Sequence, residues 1–514
     1  MPLPPLTGTC PQTVKTAKKP CAVKSGGTSL AVEIPWEDPI TWEIGRGYLY
    51  TCRAALKAGG RTVAKRELKF GFREIWREGK EIMMNGHVQR LRVVCLTGSG
   101  WGADFLRQIG YNCILFPHGK ETTDLKNVDV DFFDREGIAC ICAGPQIAYG
   151  VQPSFVRNES VRDDYAATMR HSIREHRNHP SIVAMYLGVN APHPAMPVWM
   201  MWPRAFGMFR AGGEKYVSQE AMNLACDIGH GVNPNVLFYG HADGNDGDIA
   251  SMNIYPNFMP LQEREEWLKP WSEKGVLPVQ AAEFGEVYWL SWHVADFNAG
   301  FNGTEYTAIE YGDDAYRMET DRDIQAIRAS IAGWGGHIGQ VPHESVWKHR
   351  EELVRRTHRS WRTYGVNGGM VWFNLVDGYG SPSGDGKPNY SSKFIPEKIV
   401  GKPKWANRDY DIFRQGNFDF MSYLGGAPEH TDKTHAYFAG ETVEKQVVLV
   451  WDGFGERTAS VQVRVQDKEG NAVFEKKVEE TLRQGDIRFV KIEFPAPDVK
   501  DKAAYEIRLT ADCP

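Results

Sequence analysis

The chain has 514 residues, more than one ordinary hydrophobic core holds, so two to four domains are expected. Its formal net charge is −5 with no large block of one sign, which argues against a nucleic-acid-binding surface. No run of about eighteen apolar residues occurs, so no membrane-spanning helix is expected, and neither membrane nor nucleic acid is an expected partner.

The first residues, Met1-Pro2-Leu3-Pro4-Pro5-Leu6, carry no basic segment and no apolar core of a signal peptide. A periplasmic or secreted location is favoured slightly over a cytoplasmic one, since a leader can be removed. Nine cysteines cannot all pair. Cys95, Cys113, Cys140 and Cys142 fall on strand-like stretches and read as reduced core residues. Cys140-Ile-Cys142 lacks partners to complete a metal site, and pairing of Cys10 with Cys21 stays open. The sixteen tryptophans fit either large cores or platforms for the apolar faces of sugar rings.

Residues 1–78 read as short strands punctuated by Gly and Pro, at 30–34, 47–54 and 62–68, too few for a complete sandwich. Strands and helices then alternate over 79–425, as in an α/β (β/α)₈ TIM barrel. The first three strands are placed at 92–97, 111–116 and 138–142. Val161, Tyr165, Met169 and Ile173 recur every four residues, which predicts a helix. Asn178-His179-Pro180 stops it, because proline cannot continue a helix. Residues 181–187 are apolar on both alternate sets, as in a strand covered on both faces, and 188–191 form its C-terminal tip. The fifth and sixth strands fall at 236–239 and 249–255, with little room for a helix between them. The seventh ends at Glu283. A stretch rich in Trp, Tyr, Asn and Gly follows from 287 to 342, a length that points to function. A helix at 346–364, the eighth strand at 369–373 and a Gly/Pro/Ser/Lys-rich loop at 377–405 complete this part. Within 430–514 the stretches 443–450, 460–465, 489–494 and 504–509 alternate with period two, which predicts an antiparallel β-sandwich.

Two tips carry a resemblance. Arg177-Asn178-His179-Pro180-Ser181-Ile182, a buried strand and terminal Asn190 resemble strand 4 of glycoside hydrolase family 2, in the clan of retaining (β/α)₈ glycosidases. Pro278-Val-Gln-Ala-Ala-Glu283-Phe-Gly285 resembles strand 7 of that family. The tips, at 191 and 283, lie 92 residues apart, which suits three strand–helix units of roughly 30 residues each. Trp36-Glu-Asp-Pro39, Gly47-Tyr48-Leu49-Tyr50 and Lys69-Phe-Gly-Phe-Arg-Glu74 resemble the end of the family's immunoglobulin-like domain. Glu81 to Val94, with its Asn85-Gly86 turn, resembles the entry to the barrel. Gly440 to Val447 resembles the module after the barrel in some β-galactosidase-like members.

The resemblance implies retaining hydrolysis of a β-glycoside, with galactosides or a related polysaccharide favoured. Such chemistry places two carboxyl groups about 5–5.5 Å apart across the scissile bond. Glu283 matches the nucleophile, although a strand-end Glu bonded to a loop is the plain alternative, and Glu286 competes with it. The family pattern has Glu, the general acid/base, where this chain has Ala191, and a methyl group donates no proton. Either a glutamate has been replaced, or the chain is a carbohydrate-binding pseudoenzyme. His193 or Glu286 as substitute donors, and a transglycosylase, are further alternatives. Asn190 matches the residue that bonds the sugar 2-hydroxyl, and Tyr255 the tyrosine that bonds the nucleophile. Trp372 is placed as a floor under the sugar and His118 as a hydroxyl partner; Trp289, Trp292 and His293 are placed along subsites. Strand capping by Asn190 and core packing by Tyr255 and Trp372 are the plain alternatives. The second strand keeps His118 but lacks the family's neighbouring Arg. His179 sits below the strand and reads as structural. No cofactor and no metal are expected; the partner is an oligosaccharide or polysaccharide, and homo-oligomerisation stays open.

Overall fold

The computed structural model describes residues 14–22, 26–95, 110–115, 130–189, 217–242, 244–254, 265–284, 344–372 and 413–514. β1 (Tyr50–Ala58) and β2 (Arg61–Phe70) form an antiparallel hairpin, exposed over almost its whole length. Its base is held by a cluster of Trp36, Tyr48, Tyr50, Phe70 and Phe72, with neighbouring ring centroids 4.9–5.8 Å apart. Residues 30–34, expected as a strand, are exposed and form no strand.

β3 (Ile75–Glu78), β4 (Glu81–Met84) and β5 (His87–Val88) make a small antiparallel sheet. Asn85 and Gly86 turn β4 into β5 with positive φ of 48° and 87°, the signature of a tight primed turn. Asn85 Nδ2 donates to the Trp42 carbonyl and to Glu43 Oε1, at 2.9 and 2.7 Å. This anchors the turn to the segment that carries Trp42.

The next elements alternate as expected. They are β6 (Val93–Cys95), β7 (Cys113–Leu115), α1 (Val130–Glu136), β8 (Ala139–Ala143), α2 (Gln152–Arg157), α3 (Glu159–His176) and β9 (Ile182–Val189). Then come α4 (Val217–Val232), β10 (Leu237–His241), β11 (Gly244–Asp246), β12 (Ile249–Ile254), α5 (Lys269–Lys274), β13 (Val279–Phe284), α6 (Glu344–Thr363) and β14 (Gly369–Trp372). Asn158 caps α3 by accepting from Ser160 N, and Met169 and Ile173 bury its apolar face. The described residues between β10 and β12 form no helix, in keeping with their short spacing.

Eight strands run parallel, in two hydrogen-bonded sheets of order β10-β9-β8-β7-β6 and β11-β12-β13-β14, with β11 antiparallel to β12. β10 lies beside β12 and β14 beside β6, but no ladder closes these seams among the described residues. The barrel expectation is met to that extent. The side chains sort into two cores. One joins Ile114, Cys140, Met185, Phe238, Ala281 and Phe284 to residues of the helices. The other contains no residue of a helix: Val93, Cys113, Leu115, Ile141, Val183, Tyr186, Leu237, Tyr239 and Val371 pack within the strands. Trp42, Ile75, Ile82 and Met84 join this inner core, so the β3–β5 sheet plugs the N-terminal end of the strands. Cys113, Cys140 and Cys142 are buried free thiols, and burial pushes Cys142 up to about 12. Cys21 is also free.

The C-terminal sandwich pairs β15 (Phe420–Gly425), β16 (Thr442–Trp451) and β19 (Asp486–Pro495) in one sheet. β17 (Arg457–Gln466), β18 (Ala472–Leu482) and β20 (Glu506–Asp512) form the other. Val447, Leu449 and Trp451 of β16 face the sandwich core, while Val448 and Val450 pack with Met421 and Tyr423 on the opposite face. No helix among the described residues is long and apolar enough to cross a membrane.

Candidate active site

The N-terminal end of the parallel strands is plugged, which leaves their C-terminal ends as the place to look for a site. Two of those ends depart from regular pairing. On β13, Met252 pairs with Ala281, yet the next residue of β12, Asn253, pairs with Glu283. Toward β14 the register shifts in the same place, with Ala281 opposite Met370 and Phe284 opposite Trp372. Ala282 is therefore an extra residue, a β-bulge.

The bulge decides where Glu283 goes. Val279 and Ala281 face the helices, so strict alternation would send Glu283 outward as well. After the bulge it is Phe284 that faces outward, its ring centroid 5.4 Å from that of Trp361 on α6. Alternation then assigns Glu283 to the inner side, half-buried, at the C-terminal end of β13.

β9 shows a matching irregularity. Tyr186 pairs with Tyr239, but Val189 pairs with His241, so β9 spends one residue more than β10 before its tip. Tyr186 belongs to the inner core, and its ring centroid lies 5.5 Å from that of His241. His241 is 2% exposed. The next residue, Ala242, has φ of 59°. Its N–H donates to Ser251 Oγ at 3.1 Å, and Ser251 Oγ bonds Gln280 Oε1 at 3.3 Å. Gln280 Nε2 donates to the Gly368 carbonyl at 3.0 Å. A polar ladder thus ties the tip of β10 through β12 and β13 to the segment entering β14. Sequence reading ended this strand at Tyr239; the signal for His241 was an imidazole two residues further along an apolar strand.

Of the residues anticipated at the site, the structure places Glu283 at the mouth and pairs the backbone of Trp372 with Phe284. Asn190, Ala191, His118, Tyr255, Trp289, Trp292 and His293 lie outside the described residues, as do Glu286 and His193.

Below the strands, Asp131, Asp134 and His179 bring potential metal-binding atoms within 4.8 Å of one another. Both oxygens of the buried Asp134 are already used. Oδ2 pairs with His179 Nδ1 at 2.7 Å and Oδ1 accepts from Ser181 N at 3.0 Å. The bond to Asp134 raises the His179 pKa. This group latches α1 to the start of β9, at the end of the strands opposite Glu283.

Residues 6–73 match the family model described as Glycosyl hydrolases family 2, which bears out the resemblance read from the sequence. No curated protein sequence matches the chain. The exo-chitosanase CsxA of Amycolatopsis orientalis shares the fold, with a TM-score of 0.52 and 12% identity, over 94% of this chain and 55% of that one. The β-D-mannosidase from Dictyoglomus thermophilum does likewise, with a TM-score of 0.52 and 14% identity, over 92% of this chain and 57% of that one. The chain spans little more than half the length of these solved structures.

Proposed function

We propose that the chain is a retaining β-glycosidase of family 2 type, a (β/α)₈ barrel flanked by β-sandwich domains, whose nucleophile is Glu283. The observation that carries this reading is the bulge at Ala282, which turns Glu283 inward at the C-terminal end of β13. In the proposed reaction the Glu283 carboxylate attacks the anomeric carbon and the aglycone leaves with the bonding electrons. Water then attacks the glycosyl ester, releases the sugar with net retention and frees the carboxylate. Asn190, Tyr255, Trp372, His118, Trp289, Trp292 and His293 are proposed to contact the sugar or the nucleophile.

Ala191 stands where the family pattern places the proton donor, so the chain is proposed to be slow on natural glycosides. General acid/base help is worth about 10²–10⁴-fold. Activated aryl glycosides need no proton in the first step, and azide attacks a glycosyl–enzyme without base help. The test incubates the chain with activated aryl β-galactoside, β-glucoside, β-mannoside and β-glucuronide, with and without azide. The expected product is a β-glycosyl azide from one of them, which also names the sugar. If all four are inert and Ala191→Glu is inert too, the hydrolase reading fails. Tight oligosaccharide binding without turnover would then favour the pseudoenzyme, for which Ala191 itself is the supporting observation.

A further inference from the structure

We propose that His241 is a sugar-contacting residue of this mouth, bonding a hydroxyl of the ring held over Glu283. The inference rests on the glycosidase reading above. Among the described residues, the C-terminal ends of the eight parallel strands present one carboxylate, Glu283, and one imidazole, His241.

Three observations place the imidazole. Leu237 and Tyr239 of β10 belong to the inner core and Phe238 to the outer one, so the alternation carries His241 inward. The Tyr186 ring beside it confirms the side. Tyr186 and Tyr239 form the layer below, and β10 ends at His241, so the imidazole occupies the last inner layer before the mouth. On the inner face beneath, the buried polar Ser251 and Gln280 are hydrogen-bonded, and an imidazole with two polar nitrogens is likewise costly to bury as mere filler.

The backbone supports the same conclusion. Ala242 holds a left-handed φ that L-residues seldom adopt, and Ser251 Oγ pins it there. Strained tips of this kind persist where surrounding structure over-determines them, and they cluster at functional sites. The Ser251–Gln280 link fixes that tip to β13 three residues before Glu283. Imidazole and carboxylate are therefore mounted on one rigid frame, with β12 between their strands, as preorganised binding requires.

The experiment uses 2,4-dinitrophenyl 2-deoxy-2-fluoro β-glycosides of the four sugars, whose leaving group needs no proton and whose glycosyl–enzyme turns over slowly. Intact mass and peptide mapping follow labelling at Glu283 in the parent chain and in His241→Asn and His241→Phe. Labelling of the parent is expected with one sugar. Both variants should label at least tenfold more slowly, through a raised half-saturation concentration. One further-deoxygenated probe, lacking the contacted hydroxyl, should label parent and variants alike. Parent labelling at Glu283 with variants within twofold overturns this inference and leaves the glycosidase reading standing. No labelling by any sugar overturns both. If the Phe variant melts well below the parent, the Asn variant, which keeps a polar tip of smaller volume, decides the matter.

Discussion

The carboxylate of Asp452, one residue beyond β16 of the C-terminal sandwich, lies 2.9 Å from Nη2 of Arg362 at the end of α6. Its other oxygen pairs with Arg90 Nη1, just ahead of β6, and Arg90 Nη2 donates to the Gly485 carbonyl at 2.7 Å. Arg362 Nη1 donates to the Gly416 carbonyl at 3.0 Å. All three charged groups are buried, so a buried charge cluster joins the sandwich to the parallel-strand domain, beside the more exposed pairs Lys269–Glu429 and Lys433–Glu266.

Removing the one carboxylate leaves buried guanidiniums uncompensated, so Asp452→Asn should cost on the order of 3–5 kcal/mol. Burial opposes ionisation of Asp452, but Arg90, Arg362 and Arg92 more than offset it and hold its pKa at about 2. A carboxylate depressed in the folded state stabilises fully above its unfolded pKa, and that stability is lost as pH falls through the folded value. Denaturant melts of parent and Asp452→Asn should therefore differ most above pH 4 and converge toward pH 2. A constant difference across that range would show that Asp452 acts by packing alone.

Two buried histidines set the next acid limit. Burial holds His358 and His430 at about 4, His358 despite the bond of its Nδ1 to the Val354 carbonyl and His430 despite the nearby Glu266 and Glu429. The unfolded chain binds their protons first, so stability is full above about pH 6.5 and falls as pH drops toward 4, by about 3 kcal/mol for each. His179 and His230 act in the opposite sense. Their bonds to Asp134 and Asp248 raise their pKa, so their contribution is complete below the unfolded value and fades as pH rises through the folded one. Thermal melts from pH 4 to 8 should rise steeply on the acid side. His430→Gln, which cannot take up a proton, should flatten that slope, and an unchanged slope would contradict the assignment.

Gly369 begins β14 with φ of +91°, and an added Cβ would meet Val93 Cγ2 at 2.5 Å and the Leu91 carbonyl at 2.8 Å. These contacts lie where β14 comes alongside β6, one of the two seams between the sheets. Gly369→Ala combines backbone strain with overpacking, on the order of 3 kcal/mol. Equilibrium denaturation should show that loss, while Gly440→Ala, with open space around its Cβ, should cost clearly less.

Much of this architecture was legible because local pattern and tertiary role agree. α3 announces itself by Val161, Tyr165, Met169 and Ile173 and by the Asn-His-Pro stop, and the strand after it by its continuous apolar run. β18 was not legible, since Phe474, Val478 and Leu482 recur every four residues among charges, a helical spacing that ladder pairing with β17 overrides. The Arg90–Asp452 and Arg362–Asp452 contacts join residues far apart in sequence, and no short-range pattern encodes them. At the C-terminal strand ends, the flanking motif singles out Glu283 as the candidate. His241 was not legible, because the register shift that places it opposite Val189 exists only once β9 and β10 are paired.

The bulge at Ala282 yields the sharpest structural test. Without the extra residue, β13 would pair with β12 and β14 in one register, with Asn253 still opposite Glu283 and Trp372 still opposite Phe284, so Glu283 would still point inward. The Phe284 ring would keep its outward contact with Trp361. Deleting Ala282 should therefore keep labelling of Glu283 by the fluorinated glycosides, whereas Glu283→Gln should abolish labelling with the melting temperature within a few degrees of the parent. Ala282→Gly keeps the residue count and should keep both the bulge and the labelling. Loss of labelling in a deletion variant that melts with the parent would show that strand alternation does not aim Glu283, and the nucleophile assignment would lose the geometry on which it stands.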